Sequence, residues 1–326
     1  MNKWWKDPNC ATNWKKTKNV ITIGTMFSGV ESYVHALENT PIQHCFSIEH
    51  DPYCCKVIRN TLEPQLLIQQ DVMKVNVDLL PHVDLFCASP PCQPYSSIGN
   101  QNATDPRCDL ITPVINYIVS KEPTVVIVEN VVKFKESDAC KRLRRCLIRN
   151  HYRVEVKVLD ASDFGSLQKR KRLFLVAHRC GDIRVSWPAP INAPARPIST
   201  ILQPLEEIPA NVWLTEKGRN YLEKRREWGA KIFTRDYVGT MPTFCKSMGH
   251  QIKWKHCIQE ADGRLRSITS REIARLMGFS NEFPVDVVSR TQTQYQLGNS
   301  IDLYVLKPLM KQVVDVLLFP TKFESL

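Results

Sequence analysis

The stretch "TVVIVEN" (residues 124–130) places four β-branched residues, Val125 to Val128, in an unbroken run that ends on Glu129 and Asn130. Successive side chains of a strand point to opposite faces, so a run with no polar alternate leaves neither face to water. Such a strand belongs in a sheet covered on both sides, which is the situation of parallel strands wrapped by helices. Reading outward, strands and helices alternate. "NVITIGTMF" (19–27), "QHCFSIE" (43–49), "QLLIQQD" (65–71) and "VDLFCAS" (83–89) read as strands. Between them, "VESYVHALEN" (30–39), "PYCCKVIRNTL" (52–62) and "DLITPVINYIVSK" (109–121) carry helical spacing, with Pro113 tolerated in a first turn. Downstream, "DACKRLRRCLIRN" (138–150) predicts a helix, and "RVEVKVLDA" (153–161) and "RLFLVAH" (172–178) predict strands. The expectation is an α/β fold, Rossmann-like and doubly wound, with a mostly parallel sheet.

The alternation stops near Cys180. From there to Asp262 the chain is rich in proline early, "WPAPINAPARPIS" (187–199), and aromatic and basic later. This segment reads as a second, smaller inserted domain. Regular structure resumes at "SITSREIARLMGF" (267–279), where Ser267 to Thr269 can cap a helix, and "SIDLYVLKPLMKQVVDVLLF" (300–319) predicts a helix interrupted near Pro308.

The 326 residues are 43% hydrophobic, enough for a sizeable core. No apolar run reaches the ~18 residues of a membrane span, and "MNKWWKDPNC" has no apolar signal-peptide centre. A soluble, intracellular, membrane-free monomer is the expectation. Twelve cysteines at irregular spacing, with no C-x-x-C pair, argue against zinc or any other metal and for buried reduced thiols. The net charge is +11, clustered in "LQKRKR" (167–172), "KRLRRCLIR" (141–149) and "EKRREWGAK" (223–231), which favours a polyanionic partner.

Ligands of an open parallel sheet bind beyond the carboxyl ends of its strands. Here those ends carry the "FSG" turn (27–29), Glu49, Asp71, the Pro90-Pro91-Cys92 sequence, and Glu129 with Asn130. Singly, the acids read as solvated strand ends and Cys92 as an inert thiol. Converging on one rim, they read as a site. The amino-directed methyltransferase motif Asp/Asn/Ser-Pro-Pro-Tyr/Phe has an aromatic where "SPPC" has sulfur. A thiolate there can attack an electrophilic carbon, with prolines restricting its backbone.

At this point the sequence resembles the cytosine carbon-5 DNA methyltransferase family, over nearly the whole chain outside 180–262. "GTMFSG" resembles its cofactor loop, "IEHD" its ribose-binding acid, "QQD" its adenine-binding acid, "SPPCQPYSSIG" its nucleophile loop and "VENV" its glutamate motif. "QKRKR", "RSITSREIARLMGFSNEF" and "YQLGNSI" resemble the remaining motifs, in family order. The resemblance implies an S-adenosylmethionine-dependent enzyme acting on double-stranded DNA, as in restriction–modification systems. It assigns residues 1–179 and 263–326 to the catalytic, cofactor-binding domain and 180–262 to target recognition. It implies Cys92 as nucleophile toward carbon 6 of a flipped-out cytosine, Glu129 as partner of ring nitrogen 3, Arg172 as contact to the base carbonyl and Arg170 as its support. Phe27, Gly29, Glu49, His50, Asp71, Pro91, Leu110, Asn299 and Ser300 would line the cofactor pocket.

Three places depart from the family. The second glycine of F-x-G-x-G is Glu31, His50 stands where an aromatic often stacks on adenine, and "DPRCDL" (105–110) replaces the usual Arg-Gly-Thr-Leu. A transfer-RNA-directed enzyme is the alternative, since "SPPCQP" also occurs in that branch. The Cys-Phe-Thr of that branch is missing from "PTFCKSMG" (242–249). A catalytically inactive DNA-binding homologue would have lost Cys92 or Glu129, and both are present. Groove contacts are expected from "KSMGHQIKWKH" (246–256).

Overall fold

The structure is a computed structural model. It describes residues 19–91, 109–179, 181, 185–191, 194–224, 231–246 and 256–318. Seven strands form the main sheet: β1 (Ile21–Met26), β2 (Ile42–Glu49), β3 (Leu66–Gln69), β4 (Leu85–Ala88), β5 (Val125–Asn130), β6 (Arg153–Asp160) and β7 (Lys171–His178). Their order is β3-β2-β1-β4-β5-β7-β6. The first five run parallel, while β7 lies antiparallel between β5 and β6. The chain winds outward from β1 to β3 and then restarts on the other side of β1 with β4. That reversal opens a crevice at the carboxyl ends of the strands.

The apolar run of β5 divides as a doubly covered strand should. Val125 and Ile127 join one buried cluster with Ile21, Ile23, Leu85 and Cys87. Val126 and Val128 join another with Met26, Phe46, Ile48 and Phe86. The second face is covered by α3 (Ile111–Lys121) and α4 (Asp138–Arg149), the first by α2 (Pro52–Thr61) and by α8 (Leu303–Leu318).

Two helical expectations are corrected. Within 30–39 only α1 (Ser32–His35) is helical, because left-handed Glu31 precedes it and left-handed Asn39 turns the chain soon after. The last helix is not interrupted: α8 runs through Pro308. Proline removes one main-chain donor there. Burial of Val305, Leu306, Leu309, Met310 and Val313 on the sheet outweighs that loss.

The segment after residue 180 contributes α5 (Glu216–Lys224) and a second sheet of β8 (Lys231–Thr234), β9 (His256–Gln259) and β10 (Leu265–Ser267), in the order β10-β9-β8. Leu222, Cys257 and Leu265 form a small cluster of their own. Ile198, Ile201, Phe233, Met241, Phe244 and Ile258 instead join the main core. The small sheet also crosses the expected boundary at 262. A tight turn through Gly263 returns β10 antiparallel to β9. Next, α6 (Ser270–Leu276) starts from Thr269, whose side chain and that of Glu272 cap each other's main-chain N–H. Helix α7 (Arg290–Asn299) then leads into α8. No described helix is long and apolar enough to cross a membrane.

Candidate active site

A cavity of about 770 Å³ opens at the carboxyl ends of the parallel strands. The loop after β1 forms its floor with an unusual backbone. Phe27, Gly29 and Glu31 all have positive φ, at 56°, 57° and 64°. Only glycine adopts that region without steric cost. At Gly29 a Cβ would meet no atom within 4 Å, so the space over it is open.

Glu49 ends β2 beside this loop. Its Oε2 accepts from Gly29 N at 2.8 Å and its Oε1 from Asp51 N at 2.9 Å. His50 stands on the rim, 77% exposed, with Nδ1 at 3.1 Å from Glu49 Oε1. The hydrogen bond to Glu49 raises its pKa above the ordinary imidazole value. Asp71, past the end of β3, is exposed and accepts from Met73 N at 3.0 Å. Pro91, Leu110, Asn299 and Ser300 line the same cavity. Every cofactor residue expected from sequence therefore reaches one space.

Cys92 lies outside the described residues, whereas Pro90 and Pro91 line the cavity wall. Asn130 anchors that wall by donating from Nδ2 to Pro90 O at 3.0 Å and accepting from Val131 N at 2.9 Å. Tyr33 reaches the same turn, with its hydroxyl 3.1 Å from Ser89 Oγ. Asn130 stands at the rim where the sequence puts it, and its amide both donates and accepts there; Tyr33 was missed as a site member. Tyr33 looked like one more apolar position of a helix.

Glu129, 8% exposed, faces Arg172, with Nε 3.3 Å from Oε1. The antiparallel pairing of β5 with β7 sets Asn130 opposite Leu173, which brings Arg172 to the end of β5. Burial raises the Glu129 pKa, and the charges of Arg172 and Arg170 oppose that rise.

Arg170, expected as the support of Arg172, lies deeper in the structure. It is 2% exposed, and its guanidinium donates to Phe244 O, Gly298 O and Ser300 O at 2.8, 3.0 and 2.6 Å. Burial and the Arg172 charge lower its pKa to about 10. Gln168 accepts from Phe244 N at 3.0 Å and donates to Asp302 Oδ2 at 2.9 Å. Together they clamp two distant segments, at Phe244 and at 298–302, beside this end of the cavity. Gly298 makes the clamp possible, since a Cβ there would lie 2.4 Å from Lys246 N.

The family profile described as C-5 cytosine-specific DNA methylase matches residues 21–315. The chain belongs to that family. Among relatives of this methylase is the type II methyltransferase M.MspI of Moraxella sp, 26% identical over 295 residues, covering 88% of this chain and 69% of the relative. Another is M.HhaI of Haemophilus parahaemolyticus, 27% identical over 314 residues, covering 86% and 90%. In fold it resembles the S. pombe Dnmt2 methyltransferase, with TM-score 0.76 and 22% identity over 93% of this chain and all of that one.

Against this family background the departure at Glu31 is resolved in backbone terms. The glutamate keeps the left-handed conformation that a glycine would supply, and its side chain is fully buried beneath the loop. Residues 247–255 of the expected groove segment and the Arg225–Arg226 pair lie outside the described residues. Lys246, the first residue of that segment, packs its ammonium 5.3 Å above the ring of Tyr295 at the cavity wall. Of the described cysteines, Cys45, Cys54, Cys55, Cys87 and Cys140 are buried free thiols, and Cys257 is buried as well.

Proposed function

We propose that this methylase transfers a methyl group from S-adenosylmethionine to carbon 5 of a flipped-out cytosine in a short sequence of double-stranded DNA. The observation that carries the reading is the Glu129–Arg172 pair standing in the same cavity as the Phe27–Gly29 loop and Glu49. The donor set suits the cofactor. Glu49 and Asp71 supply carboxylate acceptors for ribose hydroxyls and an adenine amine. The open space over Gly29 admits close approach, and Phe27, Pro91 and Leu110 add apolar wall. His50, Asn299 and Ser300 complete the lining. When bound, S-adenosylmethionine supplies an electrophilic methyl group on a positively charged sulfur.

The residues of the chain then act on the base. Cys92, as thiolate, adds to ring carbon 6, and Glu129 provides a proton to ring nitrogen 3. The raised pKa of Glu129 helps it keep that proton. Arg172 holds the base carbonyl, and Arg170 supports it by fixing the surrounding main chain. Carbon 5 gains enamine character and becomes the methyl acceptor. A base takes the carbon-5 proton, its bonding pair re-forms the ring double bond and expels Cys92 as thiolate, and the proton on ring nitrogen 3 returns to Glu129; the products are the methylated base and S-adenosylhomocysteine. Residues 1–179 and 263–326 carry this chemistry. Residues 180–262, with β10 completing their sheet, read the target.

The test uses fluorine at carbon 5, which cannot leave as a proton. A randomised fluorocytosine duplex pool and a fluorocytosine-substituted transfer-RNA pool are run side by side on denaturing gels. A denaturant-resistant adduct is expected on duplex DNA with S-adenosylmethionine present, absent in Cys92→Ser. Adducts on RNA alone would overturn the substrate. Adducts on neither, with cofactor shown to bind, would overturn the catalytic reading.

A further inference from the structure

Glu31 is chemically out of place for a position where the family carries glycine. Burying a carboxylate costs several kcal/mol unless it is well paired, yet Glu31 is 0% exposed. Its Oε1 accepts from Thr25 Oγ1 and Ser47 Oγ, both at 2.5 Å. Thr25 Oγ1 stands 2.6 Å from Ser28 Oγ, and Ser47 Oγ stands 2.8 Å from His44 Nε2. Hydrogen bonds directed from Ser28 to Thr25 to Glu31, and from His44 through Ser47 to Glu31, satisfy these contacts together. Ser28 Oγ also stands 3.2 Å from Ile48 O. Two hydroxyls, those of Thr25 and Ser47, thus converge on one oxygen of Glu31, an arrangement that an ionised carboxylate satisfies.

The other oxygen, Oε2, is buried and has no hydrogen-bond partner among the described residues. No arginine or lysine lies within ion-pair distance of Glu31 among them, and His44 Nε2 is at 3.5 Å. Part of this charge is therefore uncompensated within the described structure. Through Thr25 Oγ1 the carboxylate is linked to Ser28, which lines the cavity.

We propose that Glu31 is a buried charge that biases the pocket toward the cationic methyl donor and against its uncharged product. The inference rests on the cofactor assignment made above. S-adenosylmethionine carries a sulfonium, an ammonium and a carboxylate, a net charge of +1. S-adenosylhomocysteine has lost the sulfonium charge and is neutral overall. A fixed negative charge in a poorly solvated floor acts on that difference whatever other contacts the two share. Its energy is regained when the cation binds, which offsets the cost of burying it. The device favours product exchange after each transfer, and Glu31 acts as a positioning and selecting residue, not a catalytic one.

The test is calorimetry of both molecules at pH 8, well above the ordinary imidazole range, on the wild type and two variants. Glu31→Gln keeps the volume, and Glu31→Gly suits the left-handed backbone. In both, the preference for S-adenosylmethionine over S-adenosylhomocysteine should fall roughly threefold to tenfold, as expected for one partly screened charge. Ser47→Ala removes a donor and keeps the charge, so both affinities should move together with their ratio unchanged. A ratio unchanged in the Gln and Gly variants would overturn the proposal. So would failure of both variants to fold, since that would make the carboxylate a requirement of the loop itself. Failure of wild-type protein to bind either molecule would instead overturn the cofactor assignment.

Discussion

The two ends of the cavity hold their acids by different means. At the β1–β3 end, Glu49 and Asp71 are fixed by main-chain N–H groups of Gly29, Asp51 and Met73. At the β5–β7 end, Glu129 is held against the side-chain cation of Arg172. Main-chain donors come with the fold and cannot be titrated or rotated away. A side-chain cation leaves the protonation of its partner open to balance between burial and charge, which is what the Glu129 environment shows. One end fixes its acids through the fold, and the other leaves its acid open to a change of protonation.

The comparison breaks most visibly at Glu129. Glu129→Gln keeps the size and leaves Arg172 facing a polar group, while removing the transferable proton. Single-turnover methyl transfer should fall about 10²- to 10⁴-fold, the range typical of general acid–base groups. Equilibrium DNA binding should change little. Equal losses in both measurements would mean that this end, too, only holds a shape.

The next effect comes from beneath the catalytic end. Asp302 is buried, and its Oδ2 accepts from Ser166 Oγ at 2.8 Å and Gln168 Nε2 at 2.9 Å. Burial raises its pKa from 3.8 to about 6. A folded pKa above the unfolded one means a stabilising contribution that is complete below about pH 4 and lost as pH rises through 6. The magnitude corresponds to about 3 kcal/mol. Denaturant unfolding of the wild type and Asp302→Asn should therefore differ between pH 4 and pH 7. The wild type should lose about that much relative to the variant. A pH-independent difference would show that the clamp around Arg170 does not rest on a titrating acid.

Much of this was legible in the sequence because strand chemistry is local. "VVIV" declares a doubly covered strand within four residues, and Glu49, Asp71 and Glu129 declare themselves by standing at or just past the carboxyl ends of strands. Arg170 and Arg172 show where legibility fails. They are two residues apart and chemically identical, yet one faces Glu129 and the other serves three carbonyls 74 to 130 residues away. Only tertiary structure separates them. Glu31 fails for a different reason, since a sequence does not print φ. The ten-residue helical pattern at 30–39 likewise gave no sign of the left-handed residues that shorten it. At Pro308 local propensity lost to burial, as it does wherever a helix has a core to cover.

The smallest expected effect sharpens the cofactor end. Both acids there are held by main-chain donors, but they differ in exposure. Glu49 is buried and accepts the Gly29 N–H, so it shapes the loop as well as lining the cavity. Asp71 is exposed and bonds only within its own turn. A hydrogen bond made by a solvated carboxylate competes with water at both ends, and its net worth sits low in the usual range. Asp71→Ala should therefore weaken S-adenosylmethionine binding by about 0.5–1.5 kcal/mol, with kcat nearly unchanged. The loss should be shared by S-adenosylhomocysteine, because the adenine is common to both. Calorimetry with the two molecules separates the possibilities. A shared loss well above that range would mean that ligand binding closes water away from Asp71. A loss confined to S-adenosylmethionine would mean that Asp71 acts on the sulfonium charge rather than on the adenine amine.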